Sequence, residues 1–150
     1  MAPILHVLTL SLNLFGAMLI NTTAENPSDK IQPMKIKLIS GDLVLNAALY
    51  DNATSRDLFS MLPLTVTLED YASTELIFYT DRKLTSEDAP DGYEPTRGDI
   101  TYYAPWGDVA IFYKGFRYSS GLISLGTINK DDLDKLNYLS GKEVIIEPVE

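Results

Sequence analysis

The segment from Arg97 to Phe116 constrains the fold more than any other part of this chain. It brings Gly-Asp, Tyr-Tyr, Pro-Trp-Gly and Phe-Tyr pairs or triplets close together, and it holds the only tryptophan, Trp106. Strand-forming aromatic residues on both sides of a Pro-Trp-Gly turn predict two short strands joined by a tight connection. No residue of this segment is an unambiguous catalytic group, so it informs the fold before it informs the function.

Short segments in which apolar and polar residues alternate occur on both sides of this aromatic block. A period of two predicts half-buried strands, and the turn residues 40–42 predict that the first two strands form a hairpin. The predicted strands cover residues 35–38, 43–49, 64–68, 76–79, 122–128 and 143–147. Together with the aromatic block they make about seven or eight strands, a number typical of a closed or nearly closed β-barrel.

Two short helices interrupt the strands. We predict that Thr54 is the N-cap of the first helix and that Asp57 reaches back to the cap backbone, as in a capping box. Asn129 is predicted to cap the second helix, which runs to about Leu136. The acidic residues 131, 132 and 134 lie in its first turns, where carboxylates favour a helix N-terminus, so they need no metal to explain them.

Composition excludes several kinds of chemistry. The chain has 150 residues, 45% of them hydrophobic, which favours one domain with a true core. It contains no cysteine and a single histidine, His6, so disulfides, thiolate catalysis and Cys-type zinc sites are excluded. The net charge of −9 argues against nucleic acid and against an anionic membrane surface as partners.

The first 24 residues carry no Asp, Glu, Lys or Arg and include an apolar stretch from Ile4 to Ile20. Thr22 and Ala24 fit the −3 and −1 positions of a signal-peptidase site, so we predict cleavage after Ala24. The expected organisation is a signal peptide at 1–24, a linker at 25–34 and one domain at 35–150. The mature protein would be secreted or periplasmic without stable membrane insertion. An uncleaved anchor remains an alternative, as does a cytoplasmic protein translated from Met34.

The order of signals from Lys35 to Leu136 resembles that of the small, mostly bacterial proteins of the cyclophilin-like fold family. The segments that carry the resemblance are residues 51–58, 62–71, 82–84, 98–107, 112–113, 121–122 and 125–126. The resemblance implies a mainly β fold, a closed β-barrel with one or two short capping helices. It carries more information about fold than about function.

The family resemblance raises peptidyl-prolyl cis-trans isomerase activity as a hypothesis. Such a catalyst needs an apolar pocket for the proline ring and a cation or donor that weakens amide resonance. True cyclophilins share a Phe-His-Arg segment and a Phe-Met-x-Gln-Gly-Gly-Asp segment, and neither occurs in this chain. Catalytic residues therefore stay unassigned, and Arg82, just ahead of a long loop-rich segment, is the best candidate for a cation in a cleft.

Binding is the other hypothesis, and it depends on the faces of the aromatic block. Alternation places Tyr103 on the strand face opposite Tyr102, and Phe112 on the face opposite Ile111. One face must be barrel core, whereas the other is free to line a groove in which Tyr and Trp combine apolar area with a polar tip. We expect Trp106, beside Pro105 in the turn, to be partly exposed.

The sequence therefore predicts a monomeric, non-catalytic module that binds a short peptide or a small molecule, with no cofactor and no metal. Its predicted ligand-binding residues are Arg82, Tyr103, Trp106 and Phe112. A weak prolyl isomerase that uses Arg82 is the alternative. A third reading is a structural or interaction domain.

Overall fold

A computed structural model describes residues 33–150. The predicted signal peptide and most of the predicted linker lie outside these residues. The described chain contains eleven strands, one α-helix and one 3₁₀ helix. Their bounds are β1 Met34–Ser40, β2 Leu43–Leu49, α1 Ala53–Ser60, β3 Leu64–Thr67, β4 Glu69–Tyr71, β5 Glu75–Tyr79, β6 Gly92–Tyr93, β7 Asp99–Tyr103, β8 Asp108–Phe112, β9 Ser119–Ser120, β10 Leu122–Ile128, the 3₁₀ helix Lys130–Tyr138 and β11 Glu143–Pro148.

Nine of the strands form one sheet in the order β3-β11-β1-β2-β10-β7-β8-β5-β4, and β6 pairs with β9 in a second, two-stranded sheet. The two edge strands of the large sheet, β3 and β4, follow each other in the chain with only Leu68 between them. Leu68 is fully buried, and its amide donates to the carbonyl of Lys142 at 3.0 Å. The chain thus leads from one edge of the sheet to the other through a single core residue, which nearly closes the sheet into the predicted barrel.

Alternation along the strands decides which side chains enter the core. In β2, Leu45, Ala47 and Leu49 are buried, whereas Val44 and Asn46 are exposed. The same main core contains Leu58 of α1 and Leu136 of the 3₁₀ helix, so both helices pack on the barrel. None of the helices between residues 33 and 150 is long and apolar enough to cross a membrane.

The predicted cap of α1 is wrong by two residues. The N-cap is Asn52, whose extended backbone (φ −135°, ψ 166°) and side-chain oxygen, accepting from the Ser55 amide at 2.8 Å, satisfy the first turn. Thr54 lies inside the helix, buried, and its hydroxyl donates to the carbonyl of Thr85 at 2.7 Å. Asp57 does not reach back to the cap, because its carboxylate accepts hydrogen bonds from Arg82 and from the Thr85 amide, both after β5.

The second predicted helix forms as a 3₁₀ helix, and Asn129 makes no side-chain cap hydrogen bond. The acidic run in its first turns is only partly a helix-dipole feature. Asp132 is buried and accepts a hydrogen bond from the Asn46 amide at 2.8 Å, and Lys135 pairs with it at 2.5 Å. Burial raises the pKa of Asp132, but the hydrogen bonds from Asn46 and the Lys135 cation together outweigh it, so the pKa is lowered. The Asn46 contact ties the helix to β2.

Candidate functional site

The aromatic block forms the β7–β8 hairpin that the sequence predicts. Tyr103 lies opposite Asp108, and Ile100 lies opposite Ile111. The connection spans residues 104–107, and the Gly107 amide donates to the carbonyl of Tyr103 at 2.8 Å. Gly107 has φ +81°, a left-handed conformation that favours glycine, so the Pro-Trp-Gly triplet suits this turn.

Both faces of this hairpin pack against other residues. The inner face, with Tyr102 and Ile111, belongs to the main barrel core, and the Tyr102 hydroxyl accepts from the Leu84 amide at 3.1 Å. On the outer face, Phe112 and Ala110 join Ile77 in a smaller buried cluster against which Tyr103 packs. Because the outer face lies outside the main barrel core, it is the side on which a groove could form.

An open pocket of about 280 Å³ lies on this outer face. We call it the aromatic pocket. Its lining residues are Tyr71, Ala72, Thr74, Glu75, Tyr103, Trp106, Phe112, Phe116, Arg117, Ser119 and Leu122. They come from the β4–β5 hairpin, the β7–β8 hairpin, the β8–β9 connection, β9 and β10, so the pocket exists only when these strands are assembled.

Trp106 is the central side chain of the aromatic pocket, and half of its surface (50%) is exposed. Its ring packs edge-to-face on Tyr103 at 5.3 Å and on Tyr71 at 5.4 Å between centroids. Edge-to-face packing is a favoured arrangement of aromatic pairs, so the two tyrosines hold the indole in place. The partial exposure of Trp106 agrees with the expectation from its place in the turn.

Three of the four predicted ligand-binding residues line the aromatic pocket: Tyr103, Trp106 and Phe112. Arg82 does not line it. Its guanidinium binds Asp57 of α1 through two hydrogen bonds, at 2.5 and 3.0 Å, and lowers the pKa of that carboxyl group. Asp57 also accepts from the Thr85 amide at 2.7 Å, so the pair fastens the segment after β5 to the helix.

Sequence reasoning missed the other lining residues, among them the aromatic and charged side chains of Tyr71, Glu75, Phe116 and Arg117. Tyr71 pairs directly with Glu75 across the β4–β5 hairpin, and Glu75 pairs with Phe112 across β5 and β8. Opposite residues in antiparallel strands project from the same face, which places these side chains together. The sequence held a signal for the first pairing, because a hairpin turn at residues 72–74 sets Tyr71 opposite Glu75. The pairing of Glu75 with Phe112 could not be found in this way, because β5 and β8 are distant in the chain.

Two carboxyl groups in this part of the sheet have raised pKa values, Glu75 in the pocket lining and Asp108 outside it. Glu75 is half-buried, and burial raises its pKa to about 7, with a smaller contribution from the negative charge of Asp108. Asp108 is only 1% exposed, and burial raises its pKa as well. Within residues 33–150, Oδ1 of Asp108 is a buried side-chain atom without a hydrogen-bond partner.

A larger cavity of about 400 Å³ lies between the start of α1, residues 87–93 and β10. Three of its polar lining side chains are already engaged. Asn52 donates to the carbonyl of Ser124 as well as capping α1, Thr54 donates to Thr85, and Arg56 pairs with Asp51. The aromatic pocket is the better candidate site because three of the four predicted ligand-binding residues line it and two tyrosines hold its half-exposed tryptophan.

Comparisons with known proteins agree with the barrel. Among solved structures, the chain is similar to the solution structure of the hypothetical protein AF2241 from Archaeoglobus fulgidus, with a TM-score of 0.59 and 18% sequence identity. The match covers 81% of this chain and 99% of that one, and at this identity it shows the fold alone. A search of curated proteins finds no match. The sequence pattern of the cyclophilin-like family matches residues 38–147, so the chain belongs to the cyclophilin-like family.

Proposed function

We propose that this domain is a non-catalytic binding module whose aromatic pocket takes a small molecule or one or two side chains of a short peptide. The observation that carries the proposal is the half-exposed Trp106, held edge-on by Tyr71 and Tyr103 beside an open pocket. Large exposed aromatic side chains are costly to keep in water and are typical of recognition sites.

The pocket is suited to binding because its aromatic walls are held in place before a ligand arrives. Rigid rings lose little conformational entropy on binding, so more of the contact energy is available for affinity. A volume of about 280 Å³ is at the small end of ligand pockets, which favours a compact ligand over a drug-sized one.

The isomerase alternative is not supported by the position of Arg82. The cation it requires binds Asp57 with two hydrogen bonds and lies outside the aromatic lining. A cation already held by a carboxylate is a poor donor to a proline amide, so we propose binding without catalysis. A protease-coupled Xaa-Pro assay at micromolar protein tests this point. Acceleration that Arg82→Ala abolishes would restore the alternative.

Export of the domain as a monomer is part of the same proposal. The export part of the proposal rests on the apolar stretch from Ile4 to Ile20 and on Thr22 and Ala24. Mass spectrometry of the protein from its native host should find a mature N-terminus at Glu25. An N-terminus at Met34 would instead indicate a cytoplasmic protein.

The monomeric state is tested separately, by size-exclusion chromatography with light scattering.

The binding proposal itself is tested by calorimetric titration with a panel of short peptides and small cationic, neutral and anionic molecules. Trp106→Ala and Tyr103→Ala should each weaken the binding of any ligand found by about tenfold or more, the loss expected of a buried aromatic contact. Tyr138→Ala removes a tyrosine that is 70% exposed and does not line the pocket, so it should leave affinity unchanged. Equal affinity in all variants, or no binding across the panel, would overturn the proposal.

A further inference from the structure

One carboxyl group lines the aromatic pocket, that of Glu75, and a second, that of Asp108, lies in β8 outside the lining. Glu75 lines the pocket, and neither it nor Asp108 takes part in any of the five ion pairs found within residues 33–150. Oδ1 of Asp108 additionally lacks any hydrogen-bond donor in that part of the chain. Asp108 is only 1% exposed and does not line the pocket, so Glu75 is the carboxyl group that a ligand in the pocket can reach.

Strand register places both carboxyl groups on the face that carries the aromatic rings. Asp108 lies opposite Tyr103 in β7, and Glu75 lies opposite Phe112 in β8 and opposite Tyr71 in β4. Residues opposite each other in antiparallel strands project to the same side. The effect of Asp108 on the ionisation of Glu75 is consistent with this common face.

We infer, on the basis of the binding function proposed above, that the aromatic pocket recognises an aliphatic ammonium group, carried by a lysine side chain or by a small free amine. Ring faces of Trp and Tyr attract cations, and the attraction is stronger when the cation is desolvated. The ammonium N–H groups donate to the carboxylate of Glu75, while the alkyl chain packs on the rings. The net charge of −9 steers cations toward the domain.

Arg117 is the cation among the residues that line the aromatic pocket. Its removal should therefore have opposite effects on the affinity for a cationic ligand and for an anionic one. Its guanidinium lies 5.0 Å from the centroid of the Phe116 ring, and it is in none of the ion pairs found in the described domain. Arg117 repels an ammonium ligand and attracts a carboxylate or phosphate. Arg117→Ala should therefore preserve or strengthen ammonium binding, whereas it would weaken the binding of an anion.

Binding should also strengthen as Glu75 loses its proton. The charged or titratable groups facing Glu75 are Asp108 from β8, Tyr71 from β4, and Arg117 and Tyr113 from the segment after β8. With a pKa of about 7 for Glu75, the ionised fraction rises about tenfold between about pH 6 and pH 8. Affinity for an ammonium ligand should rise by up to the same factor.

The experiment titrates the full-length protein with n-butylammonium, n-butanol and butyrate, following Trp106 fluorescence and heat. We expect n-butylammonium to bind, and n-butanol and butyrate to bind at least tenfold more weakly. Glu75→Gln should reduce n-butylammonium affinity by about tenfold, whereas the matched control Glu143→Gln, an exposed position in β11, should leave it unchanged. Nα-acetyl-lysine methylamide and a lysine-containing pentapeptide, compared with n-butylammonium, distinguish a peptide source from a free amine.

The outcomes separate this inference from the binding proposal. If n-butanol or butyrate binds as well as n-butylammonium and Trp106→Ala abolishes that binding, the pocket is a binding site and the ammonium inference is wrong. The same conclusion follows if Glu75→Gln, shown to be folded by circular dichroism, keeps full affinity for n-butylammonium. If none of the three binds, the ammonium inference fails. The broader ligand panel then decides the binding proposal independently.

Discussion

Glu75 and Asp108 are carboxyl residues of neighbouring strands β5 and β8, and the charge of Asp108 makes Glu75 harder to ionise. Neither forms an ion pair within residues 33–150. A fold that keeps two such groups on a partly buried face loses stability that an amide or apolar residue would have supplied. This loss should appear as a dependence of the free energy of unfolding on pH.

The free energy of unfolding should decrease as pH rises from about 4.5 to 7. The folded state holds the Glu75 proton up to about pH 7, whereas the unfolded chain releases it near its ordinary pKa of 4.5. The folded state thus binds more protons in this window, and stability falls as pH rises. The loss should be about 1–2 kcal/mol once solvent screening is allowed for. Urea unfolding at several pH values measures it.

Glu75→Gln should flatten this part of the profile and exceed the parent protein in stability above pH 7. The raised pKa of Asp108 acts in the same direction, so a smaller slope should persist in the variant. A profile that Glu75→Gln leaves unchanged would show that Glu75 is not the titrating group.

The pair formed by Asp57 and Arg82 should stabilise the fold without serving the pocket. Asp57→Asn weakens the two-point contact with Arg82 and the hydrogen bond from the Thr85 amide, so the free energy of unfolding should fall by about 1–3 kcal/mol. Because the Asp57 pKa is lowered below 3.8, the contribution is present above that value and disappears as pH falls through the folded-state pKa.

Arg56→Ala is the matched control for this ion pair. Arg56 pairs with Asp51 at the exposed surface, so its loss should change stability by less than about 0.5 kcal/mol. Ligand affinity of the aromatic pocket should be the same in Asp57→Asn and the parent protein. A selective loss of affinity would mean that Arg82 reaches the ligand after all.

Tyr71 should hold Trp106 in its half-exposed position. Tyr71→Ala removes one of the two edge-to-face partners, so acrylamide should quench Trp106 fluorescence faster, and stability should fall by about 0.5–1.5 kcal/mol. Tyr79→Ala removes an exposed tyrosine of the adjacent strand that forms no aromatic pair in the described residues, so quenching should stay the same. Equal quenching in Tyr71→Ala and Tyr79→Ala would show that the indole is not held by this contact.

Gly126 should be intolerant of any side chain. A Cβ at this position would overlap the carbonyl oxygen of Ala48 and come within 2.8 Å of the Leu49 Cα, both of them backbone atoms of β2 that cannot swing away. Gly126→Ala should therefore lower the free energy of unfolding by about 3 kcal/mol, measured by urea denaturation.

Gly41→Ala serves as the comparison for this glycine. Gly41 has φ +58° but open space around it. Gly41→Ala should therefore lower the free energy of unfolding only by the backbone strain, about 1 kcal/mol. Similar costs at the two glycines would contradict the close approach of β10 and β2.

Much of the barrel was predictable because its strands follow local rules. Alternation in β1, β2 and β10 and the Pro-Trp-Gly turn act through neighbouring residues, so they can be recognised in the chain alone. Helix caps were harder, since Asn52 and Thr54 are both good cap residues and only the backbone geometry selects between them. Asp57 was misassigned because Arg82, 25 positions away, competes for its carboxylate.

The sequence alone determined the alternating strands, the absence of cysteine and the exposed aromatic turn, and hence a mainly β domain without thiol chemistry. Only the tertiary structure decided that Tyr71 and Glu75 join Tyr103, Trp106 and Phe112, and that Arg82 does not. The physical reason is that strand alternation is a property of adjacent residues, whereas a pocket depends on which strands pair. That pairing is set by burial of the whole core, and no segment of the chain specifies it by itself.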